Sequence, residues 1–314
     1  MIEHESVKLD AGGSYSLSLL VVKSPDPKAC VQVVHGMEEH KERYIPLADF
    51  LAEHGYHVIL SDLRGHGEDA PLLSHIADKD GDTLLIRDQQ MITRYIKERF
   101  PGLGLILFAH SMGTIISRVL LQTDSGEYSG VALSGYVAPN AMSGIAVKLG
   151  SLVKTFKGPK AHSKMLTNLA LGPYTKAVKD RKTDLDWLSY DEDNVRKYIA
   201  DPLCGVEFTV GSYCALFRLL DKMGKADLVR NVNASLPILL LGGVDDPCTG
   251  GEKGRADSKA LLQKSGFRHV SAVTYNGMRH EILNEKEKDK VFRDILEFMD
   301  GIQPEGASGD ADRS

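Results

Sequence analysis

The run Leu107-Phe108-Ala109-His110-Ser111-Met112-Gly113 lies between a strand-like segment, Gly104–Phe108, and a helix-like one, Thr114–Gln122. A serine with small residues two places to either side, at a strand-to-helix corner, has the pattern of a nucleophile elbow. The corner is too tight for side chains larger than a methyl at those two places, and its strain pushes the hydroxyl out where a substrate reaches it. The helix that follows aims its free N-terminal N–H groups at the serine and favours negative charge there. Glycine usually fills both small positions; Ala109 replaces the first and is the mildest departure available. The same string also fits a serine that merely caps a helix, so the rest of the chain has to supply partners.

Short apolar runs recur on both sides and read as strands: Ser16–Val22, Cys30–Val34, His57–Leu60, Val131–Leu133, Pro237–Leu241 and Val270–Thr274. Helical spacing fills intervals between them, at Leu47–Glu53, Asp82–Phe100 (ended by Pro101), Asp257–Lys264 and Lys286–Met299. This alternation predicts an α/β fold, with a mostly parallel central sheet covered by helices on both faces. No internal repeat is visible.

The alternation breaks between Ala138 and Asn233, where the pattern is helical throughout. The first helix there carries Met142, Ile145, Leu149, Leu152, Val153 and Phe156 at helical spacing, with Lys148, Lys154 and Lys157 between them. A later helix opens with a capping box of Ser189 and Glu192 and should stop before Pro202. The predicted organisation is a core of residues 1–137 and 234–302, interrupted after the sixth strand by a helical cap of residues 138–233. Such an insertion would cover the carboxyl ends of the strands, where open α/β sheets bind ligands. Residues 303–314 form a polar, Gly/Ser/Asp-rich tail predicted to be disordered.

The 42% hydrophobic and 26% charged residues suit a soluble globular chain. The formal net charge of -5, with no dense Lys/Arg tract, gives no indication of a nucleic-acid surface. Cys30, Cys204, Cys214 and Cys248 are widely spread with no CxxC pair, so neither a zinc knuckle nor a redox dithiol is indicated. The N-terminus has no basic region followed by an apolar one, and no run approaches the roughly 20 apolar residues that span a bilayer. A cytoplasmic location is expected.

Near neutral pH a serine needs a histidine to take its proton and a carboxylate to hold that histidine. Following the strand at 237–241 comes Gly242-Gly243-Val244-Asp245-Asp246-Pro247. A glycine-x-x-acid spacing from Gly243 favours Asp246 over Asp245, though a turn rich in Gly, Asp and Pro reads equally well. His280 follows the next strand and is the one histidine in a post-strand loop beyond Asp246. An HExxH zinc helix is ruled out because Asn284 stands where the second histidine is needed. Backbone N–H donors for a developing oxyanion are expected from Met112, after the serine, and from Met37, in the loop after the strand ending at Val34. No metal or organic cofactor is called for.

Together these segments resemble a known family. His35-Gly36-Met37-Glu38-Glu39-His40 with Arg43-Tyr44, then Ser61-Asp62-Leu63-Arg64-Gly65-His66-Gly67, then Ala109–Gly113, are similar to monoacylglycerol lipases and lysophospholipases. These belong to the serine-aminopeptidase-like branch of α/β hydrolases. The stretches Asp186–Ser189 and Asp201–Gly205 resemble the bacterial members. The resemblance implies an α/β-hydrolase fold and a serine ester hydrolase acting on monoacylglycerols, lysophospholipids or related esters through an acyl-enzyme. It places Asp62–Gly67 near the active-site mouth, with Arg64 and His66 as braces. A carboxylate nucleophile is absent from the elbow, which excludes dehalogenase and epoxide hydrolase chemistry.

Two other readings stand beside this one. A peptidase or amidase of the same branch would need an acidic pocket for an amino group, for which Glu38, Glu39 and Asp191–Asp193 are candidates. A non-catalytic binder on the same scaffold would not need all of Ser111, Asp246 and His280. In the cap, Ile145 and Leu149 are candidate acyl-chain contacts, with the lysines facing water or an anionic membrane surface; the alternative is that this stripe packs on the core.

Overall fold

A computed structural model describes residues 2–12 and 15–302; the predicted tail lies outside them. The strands are β1 (Glu3–Asp10), β2 (Ser16–Lys23), β3 (Ala29–Val34), β4 (Tyr56–Ser61), β5 (Gly104–His110), β6 (Gly130–Ser134), β7 (Ile238–Gly243) and β8 (Val270–Tyr275). They form one sheet in the order β1-β2-β4-β3-β5-β6-β7-β8. The pairs β1–β2 and β2–β4 are antiparallel and the rest parallel.

The parallel strands β3 to β7 are buried almost end to end, as a sheet covered on both faces requires. Helices α2 (Gly81–Arg99) and α3 (Met112–Asp124) bury Leu85, Ile92, Ile115 and Leu120 in the core on one face. On the other, α1 (Ile45–Glu53) and α10 (Lys288–Asp300) bury Leu47, Leu51, Val291 and Ile295. Strand β1 has no counterpart in the sequence reading. Its residues are mostly polar, its apolar Val7 and Leu9 are only half-buried, and backbone pairing to β2 holds it at the sheet edge.

Between β6 and β7 run α4 (Ser143–Lys157), α5 (Lys164–Ala170), α6 (Gly172–Ala177), α7 (Glu192–Ala200) and α8 (Val210–Met223). Helix α8 contacts α2 and α3, and α4 lies along α8. The predicted capping box fails. Asp191, not Ser189, caps α7 by accepting the Asp193 N–H at 3.0 Å. Ser189 is drawn away because its hydroxyl donates to the buried Glu285 carboxylate at 2.9 Å. The helix does end before Pro202. Before β8, α9 (Gly251–Lys264) begins six residues earlier than the apolar spacing indicated, because its first turns are polar.

Candidate active site

The carboxyl ends of β3, β5, β7 and β8 converge, and each delivers one part of the site. At the end of β5 the chain turns sharply at Ser111, whose φ of 51° and ψ of -121° are strained for a residue with a Cβ. Gly113 permits the turn: a Cβ there would stand 2.2 Å from the Val34 carbonyl oxygen. Ala109, two places before the serine, is fully buried without disturbing the corner.

Ser111 Oγ lies 2.8 Å from His280 Nε2, and His280 Nδ1 lies 3.0 Å from Asp246 Oδ2. With Nδ1 donating to the carboxylate, Nε2 is left to accept the serine proton. Asp246 is fixed in turn by the Cys248 N–H, which donates to its other oxygen at 2.8 Å. Of the two competing aspartates, Asp246 meets the histidine, while Asp245 points outward and accepts the Tyr190 hydroxyl at 3.1 Å. Gly243 lets the two loops close together: a Cβ on it would lie 2.1 Å from the Met278 carbonyl.

The His280 ring sits between His110, at 4.8 Å between centroids, and Trp187, at 5.0 Å. Burial works to lower the His280 pKa, but the Asp246 charge and hydrogen bond outweigh it, helped by Glu281 and Glu39, and hold it above the ordinary histidine value. His110 goes the other way. Burial, reinforced by His280, pushes it down to about 4, so it packs against the site as a neutral ring.

Met37 and Met112 both border the cavity beside Ser111. Met112 is the first residue of α3, where backbone N–H groups have no partner within the helix. The loop carrying Met37 is pinned by two neutral histidines. His35 Nε2 accepts the Leu63 N–H at 2.9 Å and its Nδ1 donates to the Gly36 carbonyl at 2.8 Å. His66 Nε2 accepts the Glu38 N–H at 3.3 Å and its Nδ1 donates to the Arg64 carbonyl at 2.9 Å. Arg64 is itself held by Asp88 at 2.6 and 2.9 Å. Arg64 and His66 thus brace loops, as the resemblance implied.

A buried ion network lies behind the histidine and escaped the sequence reading. Arg43 donates twice to Glu281 at 2.7 Å each and once to Glu39 at 2.7 Å. Asn194 of α7 also donates to Glu281, at 2.6 Å. Burial raises the pKa of both acids, but the Arg43 guanidinium overcomes it and holds both below the usual carboxylate range. The dense charges of Glu38–Arg43 and the acid directly after His280 were the available signal. Their pairing across 238 positions was not.

A cavity opens onto Ser111 and His280. Ile115, Val137, Leu216 and Leu220 line it from one side, and Leu171, Tyr174, Leu185, Trp187 and Leu188 from the other. Neither Ile145 nor Leu149 reaches it. Ile145 is 58% exposed, and Leu149 packs against the core cluster, because α4 lies on the far side of α8. No Lys or Arg is among the described residues lining the cavity. Two sets of His, Cys and Asp ligand atoms come within 4.8 Å of one another, His40–Asp201–Cys204 and Asp246–Cys248–His280. In both, the two histidine nitrogens are already engaged in hydrogen bonds, His40 with Glu42 at 2.6 Å and Asp201 at 2.9 Å.

A strained serine at a strand–helix corner after β5, an aspartate and a histidine from the ends of β7 and β8, and a mostly parallel eight-stranded sheet define an α/β hydrolase. The sequence pattern of the family described as serine aminopeptidase, S33, matches residues 25–287, and the chain belongs to that family. It is 27% identical over 278 residues to a monoacylglycerol lipase of Mycolicibacterium smegmatis, covering 87% of this chain and 89% of that one. It is 28% identical over 296 residues to the monoglyceride lipase of Homo sapiens, covering 91% and 87%. To the phospholipase YtpA of Bacillus subtilis it is 25% identical, covering 88% and 97%. Among solved structures, a thermostable carboxyl esterase from Bacillus coagulans shares the fold with a TM-score of 0.89 at 24% identity, over 96% of this chain and 99% of that one.

Proposed function

We propose that this chain is a serine hydrolase of fatty-acid esters of neutral alcohols, monoacylglycerols foremost. The observation that carries this is the Ser111–His280–Asp246 relay opening onto an apolar cavity whose lining has no cation. A phosphate-bearing head group would call for Arg or Lys to meet it, and Arg43 is already paired with Glu39 and Glu281. An amino group would call for a free carboxylate. Glu38 borders the cavity but burial pushes its pKa up to about 8, leaving it uncharged near neutral pH; Glu39 is taken by Arg43, Tyr44 and the Gly36 N–H, while Asp191 caps α7 and Glu192 and Asp193 pair with surface cations. The relatives named as lipases favour the ester reading over the peptidase one.

In the reaction, His280 Nε2 takes the Ser111 proton as Oγ attacks the ester carbonyl carbon. The carbonyl electron pair moves onto oxygen, held by the Met37 and Met112 N–H groups. Asp246 stabilises the imidazolium. As the carbon–oxygen bond to the alcohol breaks, His280 passes its proton to the departing oxygen, leaving the acyl group on Ser111. Water then repeats the sequence: His280 takes its proton, the hydroxyl attacks the acyl carbon, and Ser111 Oγ leaves with the proton.

Residues 138–233 act as a cap over this cavity. The exposed apolar face of α4 (Met142, Ile145, Leu152 and Phe156), flanked by Lys148, Lys154 and Lys157, meets a lipid surface transiently. Among the described residues no helix is long and apolar enough to cross a membrane.

The test is a panel of monoacylglycerols, lysophosphatidylcholine, p-nitrophenyl esters of rising chain length and aminoacyl p-nitroanilides. Monoacylglycerols should turn over fastest, and Ser111→Ala should abolish both turnover and fluorophosphonate labelling. Equal labelling of wild type and Ser111→Ala, or preferred cleavage of the anilides, would sink the proposal.

A further inference from the structure

Glu38 adjoins Met37, and its hydrogen bonds tie two distant parts of the chain. Its φ of 57° lies in the left-handed region, which a residue with a side chain seldom occupies. Such a conformation persists where the surroundings over-determine it. The Glu38 N–H donates to His66, in the loop after β4. Its carbonyl accepts the Tyr198 hydroxyl at 2.7 Å and the Gly205 N–H at 2.9 Å. Its carboxyl accepts the Phe208 N–H at 3.1 Å. Tyr198, Gly205 and Phe208 all belong to the inserted helices and their connections, while Glu38 itself borders the cavity beside Met37.

We propose that Glu38 is a positioning residue: the inserted segment 198–208 holds Glu38, and Glu38 holds the loop whose Met37 N–H receives the oxyanion. The inference rests on the ester-hydrolase reading and adds to it a route by which the cap sets the catalytic rate as well as admitting substrate. The His66 bond alone leaves the loop anchored on one side. The three bonds from the insertion anchor the other.

The carboxyl also has an electrostatic part. The titratable groups facing it are Glu207 from the insertion, Tyr198 of α7 and Tyr213 of α8; the neutral His66 meets its backbone N–H, and among the described residues no cation pairs with the carboxyl. Burial pushes its pKa up to about 8, Glu207 adds to this, and the Phe208 N–H works against it. Glu38 is therefore uncharged near neutral pH. Its ionisation above about 8 places a negative charge on the wall of the cavity in which the oxyanion develops, so kcat falls as pH rises through that value.

The experiment compares wild type, Glu38→Gln, Glu38→Ala and Tyr198→Phe, with active sites counted by fluorophosphonate titration. Glu38→Ala should lower kcat per labelled site about tenfold with KM within about twofold, short of the 10²–10³ that losing one oxyanion donor costs. Glu38→Gln keeps an acceptor for Phe208 and should restore most of that rate at pH 7 while abolishing the alkaline fall. Tyr198→Phe, which removes one bond and keeps the ring, should lower kcat severalfold and serves if Glu38→Ala does not fold. A per-site kcat for Glu38→Ala and Tyr198→Phe within twofold of wild type, or an alkaline fall that persists in Glu38→Gln, would overturn the inference. A wild type that the probe does not label would instead overturn the hydrolase reading itself.

Discussion

At the residue scale, His280 carries the largest consequence. Its pKa is held above the ordinary value of 6.5 by Asp246, against burial. Since the base must be neutral to take the Ser111 proton, activity should be lost as pH falls through that raised value. The acid limb of kcat/KM should therefore lie above pH 6.5. Asp246→Asn should move the limb to lower pH and cost about 10⁴-fold in kcat by favouring the wrong tautomer. An unchanged limb in pH–rate profiles of the two proteins would contradict the assignment of Asp246. Much of this was legible beforehand. Ser111, Asp246 and His280 follow strand ends in chain order, and that order needs only local strand signals. The Gly243-x-x-acid spacing favoured Asp246 over Asp245, and the structure turns Asp246 inward onto His280 and Asp245 outward onto Tyr190.

At the element scale, helix α4 and the lining of the cavity part company. The apolar stripe of α4 is real, but its exposed half, including Ile145 and Phe156, is open to solvent and does not line the cavity at Ser111. The cavity is lined instead by α8 and the 171–188 stretch. Leu216→Trp, which fills the cavity, should depress turnover of a sixteen-carbon monoacylglycerol at least tenfold relative to p-nitrophenyl acetate. Ile145→Ser should change stability by no more than about 0.5 kcal/mol, as exposed substitutions do, and leave soluble-ester turnover intact. It should weaken cosedimentation with anionic vesicles. Chain-length profiles and vesicle binding on the two variants check both statements. Periodicity marks an apolar face correctly and is silent on what covers it.

At the scale of the whole molecule, the insertion is bound to the loop that carries His280 as well as to the loop that carries Met37. Glu285 accepts from Ser189 Oγ at 2.9 Å, from the Tyr190 N–H at 3.0 Å and from the Arg279 N–H at 2.9 Å. Arg279 donates to the Asp186 carbonyl at 2.6 Å, and the Glu281 N–H to the Leu188 carbonyl at 2.7 Å. The same segment presents Trp187 to the His280 ring. Removing the buried carboxylate in Glu285→Ala leaves several donors unsatisfied and should cost on the order of 3 kcal/mol. It should also lower kcat per labelled site, since the loop that carries His280 loses its anchor. Thermal unfolding with per-site kinetics checks this; a destabilised variant with wild-type kcat would show the anchor to be structural alone.

The sequence by itself determined the sheet-and-helix alternation, the place of the insertion between strands, the elbow at Ser111 and the order of its partners. Each of these is written in short-range patterns: period-two and period-3.6 apolar spacing, and small residues where a turn is tight. The tertiary structure alone decided which helices line the cavity and how Arg43 joins Glu281 across 238 positions. It also revealed β1, whose polar strand exists because β2 offers an unpaired edge. Such features depend on which surfaces meet once the chain has folded, and a buried charge finds its partner in space without leaving a periodic trace along the chain.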